Sequence, residues 1–252
     1  MLRKIAVISD IHGNAPALEA VLQDIGLHGV ERIVNLGDSL FGPVDPQGTA
    51  ALLMERQELV NIMGNCDEHL LLPESSSLTY RQVRPLLGDA ELSWIRSHRK
   101  TWSHQGLMLC HGTPWDNSSY LLEEVLPGGE VRVKPPEQLE QELHTIEEKI
   151  VCCGHSHVFR QVMLPGGRSV VNAGSVGLPA YEEEQPHYHV MESGTPQASY
   201  CLFTHSGTAA GWTAGQILVS YDWERAAWAA ERNGREDYAV AIRTGRTRGA
   251  VR

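Results

Sequence analysis

The feature that most restricts this chain is a recurring junction, in which a short apolar run stops at a loop built from Asp, His, Asn and Gly. Residues 3–9 end at Asp10-Ile11-His12-Gly13-Asn14, and Arg32 to Leu36 ends at Gly37-Asp38. Residues 58–63 end at Gly64-Asn65-Cys66-Asp67, Leu107 to Cys110 at His111-Gly112, and Ile150 to Cys153 at Gly154-His155-Ser156-His157. Runs of this length read as buried strands. The intervening spacing of Leu18, Val21, Leu22 and Ile25 reads as an amphipathic helix, with Pro16 at a first-turn position. Further helices are expected over 48–56 and along the face Leu139, Leu143 and Ile146. Strands alternating with helices make an α/β sheet, and its loops gather at the carboxyl edge, where ligands bind. One polar loop after a strand is ordinary turn chemistry. Five in the same style point to one site.

After residue 157 the pattern changes to short alternating runs at 158–164, 168–172, 187–191 and 200–204, which read as antiparallel strands. Segment 205–216, rich in Gly, Ala and Thr, reads as a hairpin tip or mobile loop. A surface helix is expected from Trp223, and the Arg-rich tail 243–252 as frayed chain. No internal repeat or interdomain linker interrupts the sequence, so residues 1–252 are expected to form a single domain.

Composition narrows the partners. With 21 Lys and Arg against 31 Asp and Glu, the formal charge of −10 disfavours a protein that grips long nucleic acid. An anionic substrate would have to be drawn by local cations, and the 12 His suggest where those are held. Cys66, Cys110, Cys152, Cys153 and Cys201 form an odd set without CxxC spacing, which reads as reduced thiols. The apolar stretch before Asp10 is too short for a signal peptide or a membrane span, so a cytoplasmic protein without membrane contact is expected. Nothing in the sequence fixes the oligomeric state.

The polar loops mix carboxylate, amide and imidazole, a set that suits a hydrolytic divalent-metal centre better than structural zinc, which more often recruits paired thiolates. Asp10 and His12, like His155 and His157, are two residues apart, so an extended segment turns both side chains the same way.

These same blocks resemble the five signature motifs of calcineurin-like metallophosphoesterases, in particular the compact bacterial branch. Asn172-Ala173-Gly174-Ser175-Val176-Gly177 is similar to the loop that follows them in that branch. The resemblance implies a four-layer α/β/β/α sandwich of two mixed sheets with the metals at one edge. It assigns Asp10, His12, Asp38 and His157 to a first metal and Asp38, Asn65, His111 and His155 to a second, with Asp38 bridging. Mn or Fe are the expected ions, with Zn, Ni and Mg as alternatives. It further implies in-line attack by metal-activated hydroxide on a small phosphate ester, without a protein nucleophile.

Two departures bear on specificity. The third block of the family carries His where this chain has Cys66, and that His is held to assist the leaving group. A thiol is a weaker donor than imidazolium, so diesters, anhydrides or activated esters are the expected substrates. Cys66 and Asp67 join Asp38 and Asn65 as expected catalytic residues. Residues 180–194 read as an insertion, either a solvated loop or a lid that supplies a substitute acid, with Asn14, His187 and His189 as candidate substrate contacts. The alternatives are a diadenosine tetraphosphate hydrolase, a phosphoprotein phosphatase, a nuclease for short substrates, or a non-catalytic scaffold on the same fold. Glu68 after Asp67, with no Arg nearby, disfavours the phosphoprotein reading. The presence of every expected ligand disfavours the scaffold.

Overall fold

The computed structural model describes residues 3–207 and 211–249. The chain begins with β1 (Arg3–Ile8), α1 (Ala15–Leu27), β2 (Arg32–Asn35), α2 (Pro46–Met54) and β3 (Val60–Asn61). Helices α3 (Asn65–Leu70), α4 (Leu78–Val83) and α5 (Asp89–Arg96) follow, then β4 (Thr101–His104), β5 (Leu107–Cys110) and the hairpin β6 (Glu123–Val125) and β7 (Val131–Val133). Next come α6 (Pro136–Glu142), β8 (Ile150–Cys153), β9 (Arg160–Met163), β10 (Ser169–Asn172), β11 (Ala180–Glu183) and β12 (His189–Glu192). The chain closes with β13 (Ala198–His205), β14 (Trp212–Val219), α7 (Trp223–Arg232) and α8 (Glu236–Thr244).

Two five-stranded mixed sheets result, ordered β14-β13-β1-β2-β3 and β4-β5-β8-β10-β9. Within them β1, β2 and β3 run parallel, as do β5, β8 and β10. The sheets face each other through Val7, Val34 and Ile62 on one side and Leu109, Cys152 and Val171 on the other. Leu18, Val21 and Ile25 of α1 cover the outer face of the first sheet at Ala6, Ile8 and Tyr200. Leu139 of α6 and the following Leu143 cover Val151, Cys153 and Val170 on the second. Strands buried on both faces carry continuous apolar runs, which is why β1 and β8 read so plainly in the sequence. The layering is therefore helix, sheet, sheet, helix.

Several expectations need correction. The 168–172 run is not simply antiparallel: β10 pairs antiparallel with β9 but parallel with β8. Segment 205–216 does hold a hairpin tip, but the strands run into it: β13 reaches His205 and β14 begins at Trp212, the two pairing residue for residue. Sequence texture missed β14 because an edge strand gains its order from its neighbour rather than from apolar alternation. The tail is not frayed through residue 249. Arg243 pairs with Glu224 and Glu231, and Thr247 donates through its backbone N and Oγ1 to Glu192 Oε1 at 2.7 and 3.0 Å. The rest of that expectation, residues 250–252, lies outside the described residues. Segment 180–194 forms the hairpin β11–β12, and α8 packs against it through Ala241, Leu178 and Ala180. Among the described residues no helix is long and apolar enough to cross a membrane.

Candidate metal centre

The loops after β1, β2, β3, β5 and β8 meet at the shared carboxyl edge of the two sheets. Asp10, His12 and His157 form one group there and Asp38, His111 and His155 another; within each group one ligand atom per residue lies within 4.8 Å of the others. Asp38 Oδ2 stands between the groups, 3.5 Å from His111 Nε2 and 3.9 Å from His12 Nε2. Asn65 Oδ1 is 3.0 Å from His111 Nε2, which brings the amide to the second group. All these side chains except Asn65 and His155 are buried.

Local chemistry sets each imidazole. His12 Nδ1 donates to Phe41 O at 2.8 Å, His111 Nδ1 to Leu36 O at 3.0 Å and His157 Nδ1 to Leu178 O at 2.6 Å. A carbonyl can only accept, so Nδ1 keeps the proton and Nε2 presents a lone pair to the centre. His12 Nε2 and His157 Nε2 then face each other at 3.1 Å, while the buried Asp10 Oδ1 meets no donor in good geometry and lies 3.3 Å from His157 Nε2. Converging lone pairs of nitrogen and oxygen call for a cation, and this donor set fits divalent ions of intermediate hardness.

Electrostatics agree. Burial opposes the Asp10 carboxylate, yet His157 and His111 hold its pKa down to about 2. Asp38, also against burial, is held well below the carboxylate range by His111 and His12. His155 is pushed down to about 4, chiefly by burial and then by His111. Burial also opposes charge on His111, but Asp38 and Asp10 lift it to about 9, so the carboxylates draw a proton onto its Nε2 unless a cation takes that lone pair.

The backbone is strained where the ligands sit. Among the described residues six non-glycine positions have positive φ, and five of them are Asp10, His12, Asp38, His155 and His157, with φ from 48° to 69°. Each such residue costs on the order of 1–3 kcal/mol and persists only where its surroundings over-determine it. The left-handed kink replaces the extended geometry that i, i+2 spacing implied. Both members of each pair nonetheless reach the edge. Asp67 is part of what enforces the kinks: its Oδ2 accepts from the backbone N of Asp38 and Gly64 at 2.8 and 3.1 Å, and its Oδ1 from Ser39 N at 3.0 Å.

A cleft of about 400 Å³ opens on the centre, lined on the ligand side by His12, Asp38, Asn65, Cys66, His155 and His157. A second cavity of about 500 Å³ shares Asn65 and His155 and is lined by Ser118, Tyr120, Glu123 and Gln185. Cys66 faces the first cleft; its backbone N donates to Asp38 Oδ1 at 2.9 Å, and burial, with Asp38, keeps the thiol protonated.

Other expected contacts fall elsewhere. Asp67 is fully buried beneath the loops and lines neither cavity, so it positions Asp38 rather than touching a substrate. Asn14 caps α1 by accepting from Ala17 N, and its Nδ2 donates to Gly177 O at 2.9 Å, away from both cavities. His189 is buried against Tyr120, with Nε2 2.9 Å from the hydroxyl, and exposed His187 precedes it in the hairpin turn; neither lines a cavity. The sequence reading also found no Arg near the third block, whereas the fold brings Arg235 and Arg248 into the cleft, with Tyr238, from in and beside α8. A helix more than 150 residues away carries no local signal of this placement. In the same segment Asp222 caps α7 and Arg243 pairs with Glu224 and Glu231, which ties the two closing helices together.

Two facing mixed sheets, flanked by helices and carrying this cluster at one edge, define the architecture of a metallophosphoesterase. Comparison with known proteins makes the assignment specific. The chain belongs to the calcineurin-like phosphoesterase superfamily, whose domain matches residues 3–195. It is 27% identical over 224 residues to an uncharacterized protein of Methanocaldococcus jannaschii, covering 79% of this chain and 82% of that one. Its fold is similar to a metallophosphoesterase from Sphaerobacter thermophilus, with TM-score 0.73, 21% identity, and 96% and 99% of the two chains covered. It is also similar to a hypothetical protein from Pyrococcus horikoshii, with TM-score 0.70, 20% identity, and 96% and 98% covered.

Proposed function

We propose that this chain is a metal-dependent phosphodiesterase that holds two divalent cations, Mn or Fe before Zn, Ni or Mg, and hydrolyses a small nucleotide-like diester. Asp10, His12 and His157 would hold one ion, Asn65, His111 and His155 the other, and Asp38 would touch both. The observation that carries this reading is the facing pair of proton-free Nε2 atoms of His12 and His157, 3.1 Å apart beside an undonated Asp10 oxygen. Bound cations would supply an activated water at neutral pH and positive charge for the phosphoryl oxygens. The chain contributes position: three imidazoles fixed by backbone carbonyls, and a carboxylate fixed by its own strained turn.

Two features favour a diester. The centre lies between two cavities that share Asn65 and His155, so each limb of a diester has a place to lie. The cleft also offers little charge to a polyanion. Among its described residues Arg235 is forked by Asp237 and Arg248 is paired with Glu236, while Glu182, Glu183 and Glu184 line the hairpin side. A diadenosine tetraphosphate would need several unpaired cations there, which makes that alternative second. The two arginines weaken the sequence objection to a phosphoprotein phosphatase, but their pairing leaves no fork for a phosphate.

Elemental analysis of protein purified without chelator should find two ions per chain, and Asp38→Asn should lower the content at both sites. A screen of monoesters, diesters and dinucleoside polyphosphates should give the highest kcat/KM on a diester, and turnover in labelled water should place the label in the product. One ion or none in metal-replete protein, or a trapped phosphorylated side chain, would refute this reading.

A further inference from the structure

The cleft that Cys66 lines, in which this chain lacks the family's imidazole, also contains a tyrosine. Tyr238 on α8 lines the same cavity as Cys66 and Asn65 and is partly buried. Its ring is clamped. Arg235 Cζ lies 4.2 Å over the ring, and the guanidinium is itself fixed by Asp237 at 2.6 and 2.9 Å and by Thr79 Oγ1 at 2.5 Å. Thr79 thereby steadies the cation that covers the ring. A cation stacked on an aromatic face contributes about 0.5–2 kcal/mol, enough to favour one ring orientation.

Two other hydroxyls that line the cleft are committed. Tyr181 Oη donates to His155 O at 3.0 Å and meets Tyr120 Oη at 2.7 Å. Thr247 Oγ1 donates to Glu192 Oε1. His187 and His189 do not reach the cleft.

We propose that the Tyr238 hydroxyl donates the hydrogen bond, and then the proton, to the leaving oxygen of the substrate, with Arg235 and Thr79 as its positioning residues. This rests on the phosphoesterase reading above. In the step, water oxygen forms a new bond to phosphorus and the bond from phosphorus to the leaving oxygen breaks. Its electron pair stays on that oxygen, which takes the phenol proton and departs as an alcohol. The proton released by the attacking water returns through solvent to the tyrosinate, so no other reactant is required. Burial pushes the phenol up to about 12 against the opposing pull of Arg235, which keeps it protonated between turnovers. The family match ends at residue 195, so the donor lies in the part of the chain outside that match.

The test compares two diesters that share one retained group, one with a 4-nitrophenyl and one with an alkyl leaving group. An alkoxide gains about 10²–10⁴-fold from a positioned acid and a nitrophenolate far less. Tyr238→Phe, which removes a single oxygen, should therefore lower the alkyl-to-aryl ratio of kcat/KM by about 10²-fold. Thr79→Val should lower the ratio in the same direction by a smaller factor. Cys66→His in the Tyr238→Phe background should restore part of it. A second readout does not depend on turnover: 3-fluorotyrosine at position 238 should shift its fluorine resonance when a non-hydrolysable alkyl phosphonate is added. Equal loss on both esters, or a resonance indifferent to the phosphonate, overturns the role of Tyr238 while leaving the phosphoesterase reading intact. A wild-type protein inactive on every phosphate ester overturns both.

Discussion

Replacing Gly64 by Ala tests how tightly the centre is built. Gly64 caps α3 with φ −82° and ψ 164°, a conformation open to any residue, so the substitution carries no backbone penalty. The added methyl carbon, however, would lie 2.0 Å from Asp38 Oδ1, 2.4 Å from Asp38 N and 2.9 Å from Asp38 Cγ. The backbone nitrogen is the decisive neighbour, because Asp38 sits at φ 54° with its N–H bonded to Asp67 and cannot retreat without breaking that bond. Overpacking alone costs about 1–3 kcal/mol, and the lost charge-assisted bond adds about 1.5–3 kcal/mol. The expected loss is therefore about 2.5–6 kcal/mol, together with loss of metal affinity because Asp38 is displaced. Gly88 supplies the control. It caps α5 in a similar extended conformation, but a methyl there meets nothing closer than the flexible Glu91 Oε2 at 3.2 Å. Gly88→Ala should cost under about 1 kcal/mol, the ordinary price of a poorer helix cap. Guanidinium unfolding of both variants, read as midpoint and slope, and calorimetric Mn titration check this. Equal destabilisation by the two substitutions, or normal Mn binding in Gly64→Ala, would show that Asp38 is not held as argued.

Other outcomes follow from the same packing. His98 is buried with neither ring nitrogen hydrogen-bonded, and burial pushes its pKa down from 6.5 to about 4. Its neutral form therefore contributes stability that is present above pH 6.5 and is lost as pH falls to about 4, roughly 3 kcal/mol in all; His98→Leu should flatten that part of a stability-versus-pH curve. Asn172 donates through Nδ2 to Gly154 O and Ser156 Oγ and accepts from Gly174 N, so Asn172→Leu should cost about 2–4 kcal/mol by orphaning buried groups in the loop that carries His155 and His157. Tyr120→Phe removes the hydroxyl that links Tyr181 and His189 but keeps the ring stacked on His155; a loss of about 1–2 kcal/mol with unchanged metal content is expected by thermal unfolding and elemental analysis.

The sequence by itself determined the central parallel strands and the parts of the centre. Central parallel strands bury both faces, so β1, β5 and β8 appear as unbroken apolar runs. The Asp, His and Asn residues at their ends are legible because a strand's end places whatever follows it at the sheet edge. Asp10, His12, Asp38, Asn65, His111, His155 and His157 could be named in this way, and the fold brings all seven together. Only the tertiary structure decided the rest. The left-handed turns at five of those ligands are imposed by contacts such as those of Asp67, and a non-glycine residue in that conformation leaves no mark in the sequence. Asn14, His187 and His189 looked like contacts because they lie near motifs along the chain, but their side chains are spent on a helix cap or face away from the cleft. Tyr238 and Arg235 were invisible for the opposite reason. They reach the cleft because α8 packs against α7 and the β11–β12 hairpin, and a placement set at least 169 residues along the chain from Cys66 depends on packing energies that no local pattern records.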